Sequence, residues 1–138
     1  PFLIYGPGQD ENRIVPSIIT GCINNREVKL TAGEQLRDFC HVDDFCRAVE
    51  LSIEGNNVDG KIFNIGSSKP IEVRYVIGYI SSLINKGKPN YGKLKMRNDE
   101  IKNLYPDTKT IKKILKWSPR VKFTIGIKRT IKYYKKTL

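Results

Sequence analysis

Between residues 72 and 84 the apolar side chains Val73, Val76, Ile77, Ile80, Leu83 and Ile84 fall on one stripe, the period of an amphipathic helix. The same spacing recurs over 124–138, where Ile127, Ile131, Tyr134 and Leu138 line up. It recurs again over 107–117, with Ile111, Ile114 and Leu115. Each stripe must be buried against a partner layer, and the chain offers strand-like runs for that purpose. Phe2-Leu3-Ile4-Tyr5 breaks at Gly6-Pro7-Gly8, and Lys61-Ile62-Phe63-Asn64-Ile65 breaks at Gly66. Alternation of strands and helices predicts an α/β fold.

Other elements are read from their ends. A helix over 13–24 has an awkward start at Pro16, and a short strand is expected at 28–31. Asp43 or Asp44 serves as N-cap for a helix over 44–54, with Phe45, Ala48, Val49 and Ile53 on one face and Gly55 as its stop. The Gly/Pro/Asn-rich stretch 87–92 reads as a loop before a strand at 93–97. Asp107 and Thr124 are the expected caps of the last two helices. The strands are too few and their order too irregular for a complete doubly wound domain.

The 138 residues suffice for one domain, burying roughly 68% of the unfolded surface. An apolar fraction of 39% is too high for a disordered chain. No apolar run approaches the ~18 residues of a membrane span. Three cysteines, an odd number, argue against a secreted disulfide scaffold and for a reducing, cytoplasmic setting. The chain opens with Pro1 directly on an apolar run, and its single methionine is Met96, so it reads as part of a longer protein.

Charge is unevenly placed. Residues 1–84 carry a net −3 and residues 85–138 a net +14. Such asymmetry raises the possibility of a module that binds nucleic acid or another polyanion. Against it, Lys109, Lys112, Lys113 and Lys116 fall off the apolar stripe of their helix, as do Lys128, Arg129, Lys132, Lys135 and Lys136 of theirs. That is the pattern of a solvated face. No aromatic-interleaved strand suited to base stacking is present.

Much chemistry is excluded by absence. There is no G-x-G-x-x-G and no P-loop to cradle a dinucleotide or triphosphate. The lone histidine, His41, excludes a His-rich metal site. The cluster Cys40, His41, Asp43, Asp44 and Cys46 straddles a strand-to-helix junction that sends its side chains in several directions. Tyr-x-x-x-Lys occurs twice, as Tyr91 with Lys95 and Tyr105 with Lys109. An acid/base pair of this kind needs both groups on one helical face, so that the ammonium lowers the tyrosine pKa. Gly92 and Pro106 break both stretches.

What remains is an ordered set of weak signals: YGPGQ at 5–9, IVPSII at 14–19, GEQLRDFCHVDD at 33–44, FNIGSS at 63–68 and MRNDEIKNLYPDTKTIKKILKW at 96–117. In this order they resemble the C-terminal part of the extended short-chain dehydrogenase/reductase family, the NAD-dependent nucleotide-sugar epimerases, dehydratases and reductases. The likeness runs from residue 2 to about residue 134. It is strongest toward the branch that makes CDP- and dTDP-deoxysugars for surface polysaccharides.

The resemblance implies the C-terminal, substrate-binding part of a Rossmann-type enzyme. Residues 1–12 would be the last-strand region of the Rossmann core and 13–138 the nucleotide-sugar-binding domain. The glycine-rich loop for NAD or NADP and the catalytic Tyr-x-x-x-Lys would lie in an N-terminal half not contained in these residues, so the fragment alone would be inactive and would not bind the cofactor. Ile4 and Tyr5 would lie near the nicotinamide and sugar. Arg13, Ile14, Val28 and Leu30 would surround the base and ribose, while Arg37 and Arg97 would grip the diphosphate with help from Asn64. Leu3 stands where family members often have Asn. Partners so implied are a nucleotide sugar, the N-terminal Rossmann half and a second copy of the parent in a homodimer, with no membrane. The competing expectation is the polyanion-binding module.

Overall fold

The computed structural model describes residues 1–138, and its organising element is a strand made almost wholly of buried residues. This is β3 (Leu36–His41), which follows β1 (Leu3–Tyr5), α1 (Ile14–Ile23) and β2 (Glu27–Lys29). Then come α2 (Val42–Glu54), β4 (Pro70–Glu72), α3 (Val73–Ile84), β5 (Lys88–Asn90), β6 (Asn103–Leu104), α4 (Lys109–Leu115) and α5 (Phe123–Thr137). One half of β3 pairs parallel with β1, setting Leu3 opposite Phe39 and Tyr5 opposite His41. The other half pairs antiparallel with β4 and parallel with β6. A separate two-stranded parallel sheet joins β2 to β5.

The sequence foreshadows β3 only as the strand side of the junction at Cys40, because Arg37, Asp38 and His41 interrupt any apolar run. All three are buried, and each has found a partner. Arg37 pairs with Glu100, the Asp38 carboxylate accepts from the Ser67 amide and hydroxyl, and His41 Nδ1 accepts from the Asp43 amide. Buried polar groups satisfied in this way cost little.

The main core lies between α1, α3, α5 and the β1–β3 pair, where Ile18, Ile19, Val76, Ile77, Ile80 and Ile127 are sealed from solvent. Each such side chain contributes about 1.5–3 kcal/mol. A smaller cluster of Cys40, Ala48, Ile65, Ile111, Leu115 and Trp117 holds α2 and α4. Both helical stripes at the basic end are buried as expected, except that Leu138 is 58% exposed at the frayed terminus.

Several element ends differ from expectation. Pro16 falls in the first turn of α1, where its missing N–H would be unpaired in any residue. The N-cap of α2 is His41, so Asp43 and Asp44 lie inside the first turn, where they face the positive helix end. The inward face of α2 is formed by Asp44, Ala48 and Leu51, whereas Val49 and Ile53 point outward at 40% and 79% exposure. Segment 61–65 is extended but not a strand. Its tie to β1 is a single hydrogen bond from the Phe2 amide to the Ile65 carbonyl, and Ile62 is exposed.

The expected strand at 93–97 is absent. The pairing occurs instead at 88–90, inside the stretch read as a loop. The N-cap of α4 is Thr108, one residue beyond the expected Asp107, whose carboxylate nevertheless accepts from the Lys109 amide at 2.8 Å. Thr124 lies within the first turn of α5, preceded by Lys122 at the N-cap, with no side-chain cap.

Candidate functional site

Arg37 projects from the half of β3 flanked by β4 and β6. One terminal nitrogen donates to the Leu36 carbonyl at 2.8 Å and the Lys102 carbonyl at 3.3 Å, and the other bonds to the Glu100 carboxylate. Glu100 is tied in turn to the second expected arginine, because its amide donates to the Arg97 carbonyl at 3.1 Å. Two residues 60 positions apart in sequence are thereby brought close, with the Arg97 turn against the Arg37 strand. Arg97 itself is exposed.

Next to Arg37, Asp38 anchors the Gly66-Ser67 turn, its Oδ1 accepting from the Ser67 amide at 2.6 Å. Gly66 is required there, since a Cβ would lie 2.4 Å from Pro106 and 2.7 Å from Asp38. This turn holds the exposed Asn64 beside the same end of β3.

A second group of expected residues gathers in a cleft of about 420 Å³ between β1 and the start of α1, where Ile4, Tyr5, Gln9, Arg13, Ile14 and Phe39 form part of the wall. Gln9 Nε2 donates to the Ile4 carbonyl at 2.6 Å, covering the strand where the cleft opens. Phe39 connects the two groups. It lies two residues along β3 from Arg37, so both side chains leave the same face of the strand, about 7 Å apart.

Not every expected residue joins these groups. Val28 is buried in the main core against Gly21, and Leu30 packs half-buried on the same core. Neither lines the cleft, because the single inward position of the short β2 is taken by packing. The Tyr5 side chain also turns inward. Its hydroxyl donates to the Phe123 carbonyl, and its ring packs edge-on to His41 at 5.4 Å. Burial, with Cys40 and Asp44 nearby, holds the phenol far above its usual pKa. Only the Tyr5 backbone edges the cleft, and its hydroxyl is no proton donor or acceptor for a ligand.

A dinucleotide does not fit the residues present. The turn after β1 is no phosphate cradle, for Gly6 is consumed by packing: a Cβ there would lie 2.5 Å from Val42 Cγ1. The helix that follows begins without any side-chain cap and carries none of the G-x-G-x-x-G glycines. Neither Tyr-x-x-x-Lys stretch is helical between its two members. Tyr91 lies under the Arg74 guanidinium at 4.6 Å, and Tyr105 precedes Pro106 in irregular chain. The Cys/His/Asp cluster diverges, with Cys40 in the small core, Cys46 exposed and Asp44 aimed at the 120–121 amides. No helix is long and apolar enough to cross a membrane.

Sequence reasoning missed two residues. Glu100 was visible only as an acid three positions after Arg97. Asp44 looked like a cap, but its carboxylate receives the Arg120 and Val121 amides at 2.8 Å each and Arg47 at 2.7 Å, while its carbonyl accepts from Trp117 Nε1 at 3.0 Å. It thus moors the α4–α5 connection to α2. Burial raises the Asp44 pKa, but these hydrogen bonds and the Arg47 charge outweigh it and bring it below the usual carboxylate value.

Comparison with known proteins follows the same lines. The profile of the NAD dependent epimerase/dehydratase family matches residues 1–66. The chain is 29% identical over 136 residues to CDP-abequose synthase of Salmonella typhimurium, covering 94% of this chain and 45% of that one. It superposes with a TM-score of 0.90 and 28% identity on UDP-glucose 4-epimerase of Thermotoga maritima solved with UDP-glucose, covering 99% of this chain and 44% of that one. With UDP-glucuronic acid 4-epimerase of Bacillus cereus, solved with UDP-glucuronic acid and NAD, the TM-score is 0.91 at 25% identity, over 99% of this chain and 44% of that one. The chain spans less than half the length of these relatives. They lend no support to the polyanion reading, and the lysines of α4 and α5 lie mostly on exposed faces. In its fold, its ordered motifs and these similarities, the chain resembles the extended short-chain dehydrogenase/reductase family, and within it the NAD-dependent epimerases and dehydratases, over the part of those proteins that it spans.

Proposed function

We propose that these residues form the nucleotide-sugar-binding portion of an NAD(P)-dependent epimerase, dehydratase or reductase acting on an NDP-hexose in deoxysugar or surface-polysaccharide synthesis. The observation that carries the reading is the closure of the Arg97 turn onto the Arg37 strand through Glu100. On this reading the exposed Arg97 side chain would join Arg37 at one end of β3, where a diphosphate, with about two negative charges, offers bidentate acceptors.

The cleft lined by Ile4, Arg13, Ile14 and Phe39 is the proposed site for the less charged parts of the substrate, and Asn64 contributes from the Gly66 turn. Anchoring a substrate by its diphosphate leaves the sugar to be positioned by binding energy remote from the reacting carbon.

The cofactor, NAD or NADP, would supply hydride chemistry in the parent enzyme. Its phosphate loop and the catalytic tyrosine and lysine belong, on this reading, to a Rossmann half that docks on the exposed Val49, Ile53 and Ile62 and along β1. A cytoplasmic, homodimeric parent accords with this reading.

The test is a calorimetric titration of the chain with UDP-, dTDP- and CDP-glucose. One of the three is expected to bind, and Arg97→Ala, an exposed position, should weaken it at least tenfold, as loss of a charge-assisted contact to phosphate implies. Unchanged affinity in Arg97→Ala would refute the diphosphate assignment.

A further inference from the structure

Charge on the surface of this chain is segregated. Residues 108–138 hold 11 Lys and Arg and no Asp or Glu, whereas residues 1–84 carry a net −3. On α5, Lys128, Arg129, Lys132, Lys135 and Lys136 are all exposed, away from its buried stripe. Only Arg129 has an acid partner, Asp43 at 3.5 Å, and both members of that pair are more than half exposed. We propose that this face of α5 docks peripherally on a bilayer surface rich in anionic lipid. It shares no residue with the Arg37 strand or with the cleft beside β1, so the proposal is independent of the nucleotide-sugar reading.

Helix stability alone does not produce such a face. A helix side exposed only to water usually mixes the signs, so that acids and bases one turn apart attract each other. On α5 the neighbouring charges repel: Lys128 and Lys132, then Lys132 and Lys136, are four apart, and Arg129 and Lys132 are three apart. The helix dipole accounts for Lys135 and Lys136 in the last turn, but it opposes the cation of Lys122 at the N-cap. A surface of fixed negative charge turns this mutual repulsion into attraction for all five side chains.

The apolar side chains among these cations favour lipid as the anion. Ile125 is 43% exposed and lies one turn before Lys128 and Arg129, on their face, and the exposed Tyr133 follows Arg129 by one turn. An isoleucine finds nothing to pack on along a phosphodiester backbone. At a bilayer it enters the headgroup region with the tyrosine, while the lysine stems keep their ammonium groups at the lipid phosphates.

Four of the five cations are lysines, point charges rather than the planar forks that grip a single phosphate. Tyr133 stands edge-on to Tyr134 at 5.3 Å instead of offering a stacking platform to a base. Asp10 and Glu11, which share a groove with Tyr133 and Leu138, mark the edge of the face. No helix is long and apolar enough to cross a membrane, and the apolar stripe of α5 is committed to the main core. The helix therefore lies along the lipid surface over roughly 22 Å.

The test is co-sedimentation with vesicles of phosphatidylcholine alone and of phosphatidylcholine with about 30% phosphatidylserine, at about 0.15 M salt. The wild-type chain is expected on the charged vesicles only. The triple variant Lys128→Gln, Lys132→Gln, Lys136→Gln should bind them about a hundredfold more weakly, since each cation near such a surface contributes a factor of about five. A second triple, Lys86→Gln, Lys93→Gln, Lys95→Gln, removes the same charge outside α5 and should stay within about twofold of wild type. All six side chains are exposed, so neither triple disturbs the core. In Ile125→Trp, fluorescence should shift to the blue on charged vesicles, against a constant background from the buried Trp117.

Three results would each overturn the proposal: no binding of wild type to charged vesicles, equal weakening in both triples, or vesicle-bound Ile125→Trp without a blue shift. So would a DNA duplex that binds more tightly than the vesicles and is lost in the α5 triple, which would assign the face to nucleic acid. None of these results bears on the nucleotide-sugar reading.

Discussion

Replacement of Asp44 by Ala is the most informative single perturbation of this fold. Asp44 is 1% exposed, and its carboxylate is the acceptor for the Arg120 and Val121 amides and for Arg47. Alanine leaves both amides without their acceptor, at about 1–3 kcal/mol for each group that stays dry. Arg47 is partly solvated and keeps the Ser118 carbonyl, so its share is smaller. The sum is about 3 kcal/mol, at the low end of what breaking a buried pair costs. With 138 residues, the unfolding entropy is roughly 0.29 kcal/mol/K, so the melting temperature should fall by about 10 °C. Asn, which retains one acceptor oxygen, should fall by about half as much. Differential scanning calorimetry of the three proteins decides it. A loss below about 1 kcal/mol in Asp44→Ala would mean that the 117–121 connection is held by Trp117 and the small core rather than by this carboxylate.

Two further outcomes follow from the packing around α5. A Cβ at Gly126 would sit 2.2 Å from Tyr5 Oη and 2.8 Å from His41 Cδ2, so Gly126→Ala should destabilise by about 1–3 kcal/mol despite the better helix propensity of alanine, as read in urea unfolding. His41 is buried with its Nε2 unpartnered, and burial, with Arg129 acting the same way and Asp43 and Asp44 opposing, holds its pKa below the ordinary value. The unfolded chain therefore takes up a proton first as pH falls, so this stability is fully present above about pH 6.5 and is lost below it toward the folded pKa. His41→Asn keeps an N-cap acceptor and should flatten the thermal-stability profile between about pH 7.5 and pH 5.5; an unchanged slope would assign the pH dependence elsewhere.

Periodicity located α3, α4 and α5 because they bury aliphatic stripes that no other element shape would produce. The strands were harder to read. β2, β4, β5 and β6 are two or three residues long, too short for alternation to register, and β3 buries an arginine and an aspartate whose partners lie tens of residues away. Conversely, Lys61–Ile65 has the composition of a strand but only one ladder bond. Of the proposed site, Arg37 and Arg97 stand out as motif residues, while the contacts of Glu100 and Asp44 do not, because a carboxylate's role depends on what the chain folds against it. Tyr5 and Val28 were misread for the same reason. The sequence marks them as near a ligand, but the alternation of β1 and the single inward position of β2 put their side chains in the core.

The claim on which the rest depends is that Arg37 and Arg97 close on one diphosphate. A crystal structure of the chain with UDP-glucose, the ligand of the Thermotoga maritima relative, tests it most directly. Phosphate oxygens are expected within about 3 Å of both guanidinium groups. A diphosphate lodged elsewhere, for instance in the cleft edged by Lys69, Arg120 and Lys122, would contradict the account.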